Sequence, residues 1–306
     1  MTTFVARRLI FLLFVTFMVA TLVFFFIHFI PGDPVAIMLG DTARAADMAE
    51  LRAQLGLDRP LLEQYGNFLS GLLHGDLGMS IRYHKPVAEM VLSRLPATIE
   101  LTAAAMIIAL AIALPAGILS ALRPYSAFDH SAMLVSLVGV SMPSFWLGPL
   151  LILAFSIHLD WLPVSGRGGL ASLALPAITL GTALAAILSR MTRSSMLEVI
   201  REDYITAGRA RGLSERVVIL KHGFRNALIP VLTVMGLQIG ALLSGAVVTE
   251  KVFAWPGIGR LLVDGIEARD YTLVQGCVLA ISLCYVLVNL VIDLLYAAVD
   301  PRIRFE

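Results

Sequence analysis

No run of residues in this chain carries the chemistry of bond making. The phosphate-cradling pattern GxxxxGK[ST] is absent, and so are the metalloprotease pattern HExxH and the nucleophile elbow GxSxG. The chain therefore offers no nucleotide site of its own. Six histidines, His28, His74, His84, His130, His158 and His222, fall without ligand spacing, so no dedicated metal site is expected. Cys277 and Cys284 share one apolar run; they make no disulfide framework and read as small buried apolar residues.

What remains is charge and polarity in unusual places. Residues 201–230 read REDYITAGRARGLSERVVILKHGFRNALIP. Arg201, Arg209, Arg211, Arg216, Lys221 and Arg225 stand there against Glu202, Asp203 and Glu215, between two apolar runs. Leu213, Val217 and Leu220 recur at i, i+4 and i+7, which predicts an amphipathic helix over part of the block. Two readings fit. One is a solvated loop that obeys the positive-inside rule. The other is a docking helix whose apolar stripe needs a cytosolic partner to cover it. Gly212 is expected to end a helix in the left-handed conformation.

A second group lies inside the apolar runs. Pro143 and Pro149 fall near the middle of one run, in SMPSFWLGP, and Pro115 with Gly117 falls in another. Breaks at these points would free backbone carbonyls. Lipid cannot satisfy them, so such breaks belong where helices pack or line a watery cavity. Gln238 sits between Gly236 and Gly240, a GxxxG pattern that admits a close helix neighbour. Ser141, Pro143, Ser144 and Gln238 are the candidates for lining a translocation path; a packing kink and a helix–helix hydrogen bond are the alternatives. Asn289 and Asp293 share a face, and Asp293 reads as one half of a structural ion pair.

The elements that must position these residues are membrane spans. Of 306 residues, 58% are hydrophobic and 15% charged, and mean hydropathy is +0.85, which specifies an integral membrane protein. A net charge of +1, with the basic residues local, argues against bulk nucleic-acid binding. Residues 1–8 form a cytoplasmic start and 9–30 a first span. A cleaved signal peptide would have a shorter apolar region and a small-residue cleavage site. Residues 31–96 predict an external helical subdomain. Asp47 to Glu50 reads as a capping box opening one helix that Gly56 can close. Asp58-Arg-Pro60 starts another, with Gly75 as its stop and Leu61, Tyr65, Phe68 and Leu72 as its apolar face.

Five more spans are expected near 97–122, 131–157, 173–193, 227–249 and 272–297, with a cytoplasmic loop over 194–226 and a cytoplasmic tail over 298–306. The fold class is thus all-α and polytopic with six transmembrane helices. Arg7, Arg8, Arg123, Arg302, Arg304 and eight cations from Arg190 to Arg225 then face the cytoplasm, leaving Arg167, Lys251, Arg260 and Arg269 in the short outer loops.

The segments Asp203-Tyr-Ile-Thr-Ala-Gly-Arg-Ala-Arg-Gly212 and Arg225-Asn-Ala-Leu-Ile-Pro230 resemble the cytoplasmic EAA loop of binding-protein-dependent ABC importer permeases. Further blocks resemble the first permease of the dipeptide, oligopeptide and nickel group. They are Pro31-Gly-Asp-Pro34, Leu55-Gly-Leu-Asp-Arg-Pro60, Gly75-Asp-Leu-Gly78, Trp161-Leu-Pro-Val-Ser-Gly166, Glu250-Lys-Val-Phe-Ala-Trp-Pro-Gly257, Asp293-Leu-Leu-Tyr296 and Asp300-Pro-Arg302. The likeness covers nearly the whole chain in order. One departure is that Thr206-Ala207-Gly208 and then Gly212 come without the loop's usual glutamate.

The resemblance implies a type I ABC importer permease fold, and a machine of two different permeases, two cytosolic ATPases and an external binding protein. ATP and Mg would bind on the ATPases, and no cofactor on this chain. Asp203, Tyr204, Ala207, Arg209, Arg211 and Gly212 would couple to an ATPase groove. The path would run between two permeases, so no site would be complete in this chain. The lack of paired histidines favours a short peptide, glutathione-like ones included, over nickel. A secondary transporter would need midplane coupling-ion residues, and an intramembrane enzyme a nucleophile or metal set; neither pattern is present. A channel is the other rival.

Overall fold

A computed structural model describes residues 2–29, 35, 44–54 and 56–299. Among them the chain is all-helical, and the one β feature is a bridge between Met79 and Pro86. The helices are α1 (Thr2–Phe29), α2 (Ala45–Gln54), α3 (Leu61–Leu73), α4 (Val87–Leu122), α5 (Ala127–Ser141), α6 (Ser144–Leu151), α7 (Leu170–Val199), α8 (Asp203–Ala210), α9 (Phe224–Val252), α10 (Ile258–Glu267) and α11 (Tyr271–Val299). π-helical segments continue α6 over Ile152–His158 and open α9 over Val217–Gly223. The blocks Pro31–Pro34 and Asp300–Arg302, Leu55, and the side chains of Asp47 and of Asp293–Tyr296 lie outside the described residues.

Among the described residues four helices are long and apolar enough to cross a membrane, or five when the bent pair α5–α6 counts as one span. In α1 the described side chains, Ile10–Phe26, form an apolar stretch. Helix α4 starts ten residues before the expected span and runs unbroken through Pro96 and Pro115. The expected break at Pro115 does not occur. Each proline removes one N–H donor, and the rest of a 36-residue helix keeps its ladder. The break at Pro143 does occur, and it is sharp. Helices α5 and α6 meet at 105° across Met142 and Pro143, while Pro149 sits inside α6. Pro143 is the N-cap of α6 with extended backbone (φ −66°, ψ 138°). That conformation is favoured before and at prolines and cannot continue a helix.

The chain divides into two units. One is built on Ile99–Trp255 and takes in the last helix from Leu287. Its long helices approach backbone to backbone. A Cβ on Gly117 of α4 would stand 2.6 Å from Thr192 Cβ and 2.7 Å from Ser189 O of α7. A Cβ on Gly181 of α7 would stand 2.9 Å from Ala105 O of α4. The close neighbour that the GxxxG pattern anticipates is α11, since a Cβ on Gly236 would stand 3.3 Å from Ile292. Asp129, buried in the first turn of α5, accepts from Arg193 Nε at 2.6 Å and Nη2 at 2.7 Å. The Tyr125 N–H also donates to it, and Ser126 Oγ caps its own N–H.

The other unit consists of Ala6–Thr98 and Pro256–Val286. Val87, Val91, Ile258, Leu261, Leu273 and Cys277 form its core. Asp270, fully buried, ties this unit together. It accepts from the Ser80 hydroxyl and the Arg82 N–H, and caps α11 by accepting from the Leu273 N–H at 3.1 Å. Helix α2 begins at Ala45, so Asp47 lies in its first turn and is not the N-cap. Gly56 closes it with φ +66°. Helix α3 begins after Pro60, which is its N-cap, and Gly75 follows its end with φ +76°. Tyr65 and Phe68 of α3 pack on Phe24 of α1, with ring centroids 5.2 and 5.4 Å apart. Leu61 stays exposed at 44% and does not join that face.

Candidate functional site

Helix α7 runs six residues beyond its expected span and ends at Val199. Glu202, with extended backbone, then caps α8, and Asp203 places a negative charge in the first turn, where the helix dipole favours it. The buried side chain of this eight-residue helix is Ile205. Ile205 is fully buried, and a Cβ on Gly223 would lie 3.7 Å from its Cδ1. Burying such a side chain contributes about 1.5–3 kcal/mol. Tyr204 is half exposed, and its hydroxyl accepts from Asn226 Nδ2 at 2.8 Å. Asp203, Ala207, Arg209 and Arg211 are exposed.

The exit from α8 is a Schellman turn. Arg211 is the C-cap, Gly212 has φ +75°, the Gly212 N–H donates to Arg209 O at 2.9 Å, and the Leu213 N–H donates to Gly208 O at 3.3 Å. Across this turn Arg209 grips Glu215 with both ends of its guanidinium. The helix expected over part of this block on the stripe Leu213, Val217 and Leu220 forms without its first member. Leu213 lies in the connection, and only Val217 and Leu220 lie on the π-helical start of α9. The turn is the reason, because a left-handed Gly212 sends the chain away from the axis of α8. Tyr204, Leu213, Val217 and Leu220 are nonetheless exposed at 40%, 41%, 37% and 54%. Four large apolar side chains thus stand among the cations Arg211, Arg216, Lys221 and Arg225. Such a surface can bind a partner by apolar contact and can be oriented by charge.

Among the path candidates, Ser144 and Gln238 come together. Both line a cavity of about 160 Å³ with Met142, Leu147, Thr179 and Leu242. The Gln238 side chain makes no hydrogen bond among the described residues. Pro143 and Ser141 do not line this cavity, and Ser141 Oγ donates to Leu137 O. Thr179 on α7 is the lining residue with a hydroxyl that sequence reasoning missed. Its signal was available, since Thr179 and Thr182 interrupt an apolar run, but nothing in sequence places Thr179 in one cavity with Gln238.

The blocks 161–166 and 250–257 also meet. The Gly166 N–H donates to Phe253 O at 2.9 Å, and Arg167 pairs with Glu100 at 2.6 Å while its guanidinium carbon lies 5.9 Å from the buried Trp255 ring. The Asp129–Arg193 pair was likewise missed. Ser126-Ala-Phe-Asp129 carries the capping signal for α5, whereas its partner lies 64 residues away. Among the described residues no three of His, Cys, Asp and Glu gather as metal ligands.

Comparison with known proteins covers the chain end to end. The family described as binding-protein-dependent transport system inner membrane component matches residues 113–305, and its N-terminal counterpart matches residues 1–102. The glutathione transport system permease protein GsiC of Escherichia coli K12 is 46% identical over 306 residues, all of both chains. The dipeptide transport system permease protein DppB of the same strain is 45% identical, again across the whole of both chains.

Proposed function

The chain belongs to the family of binding-protein-dependent transport system inner membrane components, and we propose that it is the permease subunit of an ATP-driven importer of short peptides. The substrate class is a di- or oligopeptide or a glutathione-like peptide, handed over by an external binding protein. The observation that carries this reading is full-length identity of 45–46% to permeases named for glutathione and for dipeptide. The exposed apolar side chains among cations at the α8 turn support it, as a surface on which a cytosolic ATPase could dock.

In this reading α1 and the bent pair join the four long helices to make six spans, with both termini cytoplasmic and residues 31–96 on the outer side. A second, homologous permease completes the path, and Ser144 and Gln238 line this chain's share of it. Ser141 and Pro143 shape the bend beside that cavity. Two ATPases bind ATP and Mg and hydrolyse the nucleotide, while this chain transmits their closure through Asp203, Tyr204, Ala207, Arg209, Arg211 and Gly212.

Purification of the tagged chain from its native membrane tests the reading. Two ATPases and a second permease should copurify. The reconstituted complex should take up labelled glutathione or dialanine only with ATP and the binding protein. Uptake by the purified chain alone would replace this reading with a secondary transporter or channel.

A further inference from the structure

Helix α3 has a wide apolar arc, of which α1 covers one flank. Tyr65, Phe68 and Leu72 recur at three- and four-residue spacing. Tyr65 and Phe68 pack on Phe24, and the Tyr65 hydroxyl meets Thr21 Oγ1 at 2.7 Å. Leu62, Leu69 and Leu73, spaced seven and four apart, form the adjoining flank, with Leu69 half-buried. Leu62 is exposed at 80% and Leu73 at 87%. Glu63, Asn67 and Ser70 take the opposite side, and Arg59 pairs with Glu63 there at 2.8 Å. This is the pattern of a helix lying at a boundary between oil and water.

We propose that α3 lies in the outer leaflet interface, with Leu62, Leu69 and Leu73 set among phospholipid acyl chains. Two observations select lipid as the occupant. The first is continuity, because α1 presents Met18, Leu22 and Phe26 to the outside at 41%, 51% and 68% beside the crossing point. The open flank of α3 extends that apolar surface. The second is depth. Phe24 and Thr21 lie five and eight residues before the end of α1, so α3 crosses about 8–12 Å below it. Interfacial helices bury their apolar side to about 5–10 Å, which is the same level. The placement rests on the reading of α1 as the first span.

The test uses nitroxide labels at Leu62, Leu73, Asn67 and Phe14, one at a time, with Cys277 and Cys284 replaced by alanine. The full chain is assembled with its partners in phosphatidylethanolamine–phosphatidylglycerol nanodiscs. Collisions with oxygen, which concentrates in hydrocarbon, are compared with collisions with a water-soluble nickel complex. Labels at 62 and 73 should collide several-fold more with oxygen than with nickel, and a label at 67 should show the reverse. Nickel access at 62 and 73 would place this flank in water, and protection from both reagents would place it against protein; either overturns the proposal. Phe14 on α1 separates the premise from the proposal. Nickel access there would remove the first span, whereas oxygen access there with nickel access at 62 and 73 would overturn the α3 placement alone. Leu62 and Leu73 are exposed at 80% and 87%, so a label at either displaces little buried surface.

Discussion

Arg209 and Glu215 face each other across the turn at Gly212, with Nε 2.8 Å from Oε1 and Nη2 3.3 Å from Oε2. Both side chains are exposed, at 41% and 65%, so the pair contributes about 0–1 kcal/mol to stability. Its effect is on shape, since it holds the last turn of α8 against the start of the next helix. Arg209→Glu should therefore leave membrane levels normal and reduce ATPase association, most strongly at low salt. The exchanged double variant Arg209→Glu/Glu215→Arg separates two roles. Recovery of ATPase pull-down assigns Arg209 to the turn, and no recovery assigns it to direct contact with the ATPase.

Gly212→Val should insert normally and couple poorly. A left-handed conformation costs an ordinary residue about 1–2 kcal/mol. No neighbouring atom lies within 4 Å of a Cβ built there, so the backbone alone sets the penalty. Gly212→Asn should keep more function than Gly212→Val, because asparagine tolerates this region. Substrate-stimulated ATP hydrolysis in the reconstituted complex measures the difference. Equal, normal rates for both variants would reduce the turn to a solvated connection.

Breaking the Asp129–Arg193 pair should be costly. The Asp129 side chain is 3% exposed and that of Arg193 23%. Removing one partner of a buried pair destabilises by about 3–5 kcal/mol, because the other charge is left in a poor solvent. Asp129→Ala and Arg193→Ala should each lower the thermal midpoint in detergent. The double variant should lose less than the two losses combined. Additive losses would show that the two groups are energetically independent.

Cysteines placed at Ser144 and Gln238 should react with a small polar thiol reagent at rates that change with nucleotide state. A cysteine at Ser141 should respond less, since its position is outside the shared cavity. The comparison is made with Cys277 and Cys284 replaced by alanine. Inertness of Ser144 and Gln238 positions in every state would make that cavity a dry packing seam.

Several features were legible in the sequence for local reasons. Gly212 reads as a helix stop because a left-handed position after a short polar helix calls for glycine, and Pro143 reads as a break because proline resists the helix before it. The same rule failed at Pro115. A proline subtracts one hydrogen bond, and whether the helix then stops depends on neighbours that sequence does not display. The stripe Leu213–Val217–Leu220 lost its first member for a related reason: its period is helical, yet Gly212 had already turned the chain. Helix α10 was missed although its apolar residues are periodic, because its ten residues lie in what charge counting treats as a loop. Arg193, the partner of Asp129, and Thr179, which lines the same cavity as Gln238, come from a distant helix, and one sequence has no means of bringing them together.

The carboxylate of Asp270 has a consequence in time. Its donors at Ser80 and Arg82 leave the ribosome long before Asp270 does, separated from it by 190 and 188 residues. At a synthesis rate of about 5–20 residues per second, the interval is on the order of ten to forty seconds. During that interval the 80–86 segment has no acceptor, and the core around Val87 lacks Ile258, Leu273 and Cys277. The Ala6–Thr98 portion must therefore wait, incomplete, while Ile99–Trp255 is threaded into the membrane. A chain stopped before Pro256 would leave that portion without the buried side chain that closes it, and so open to proteolysis.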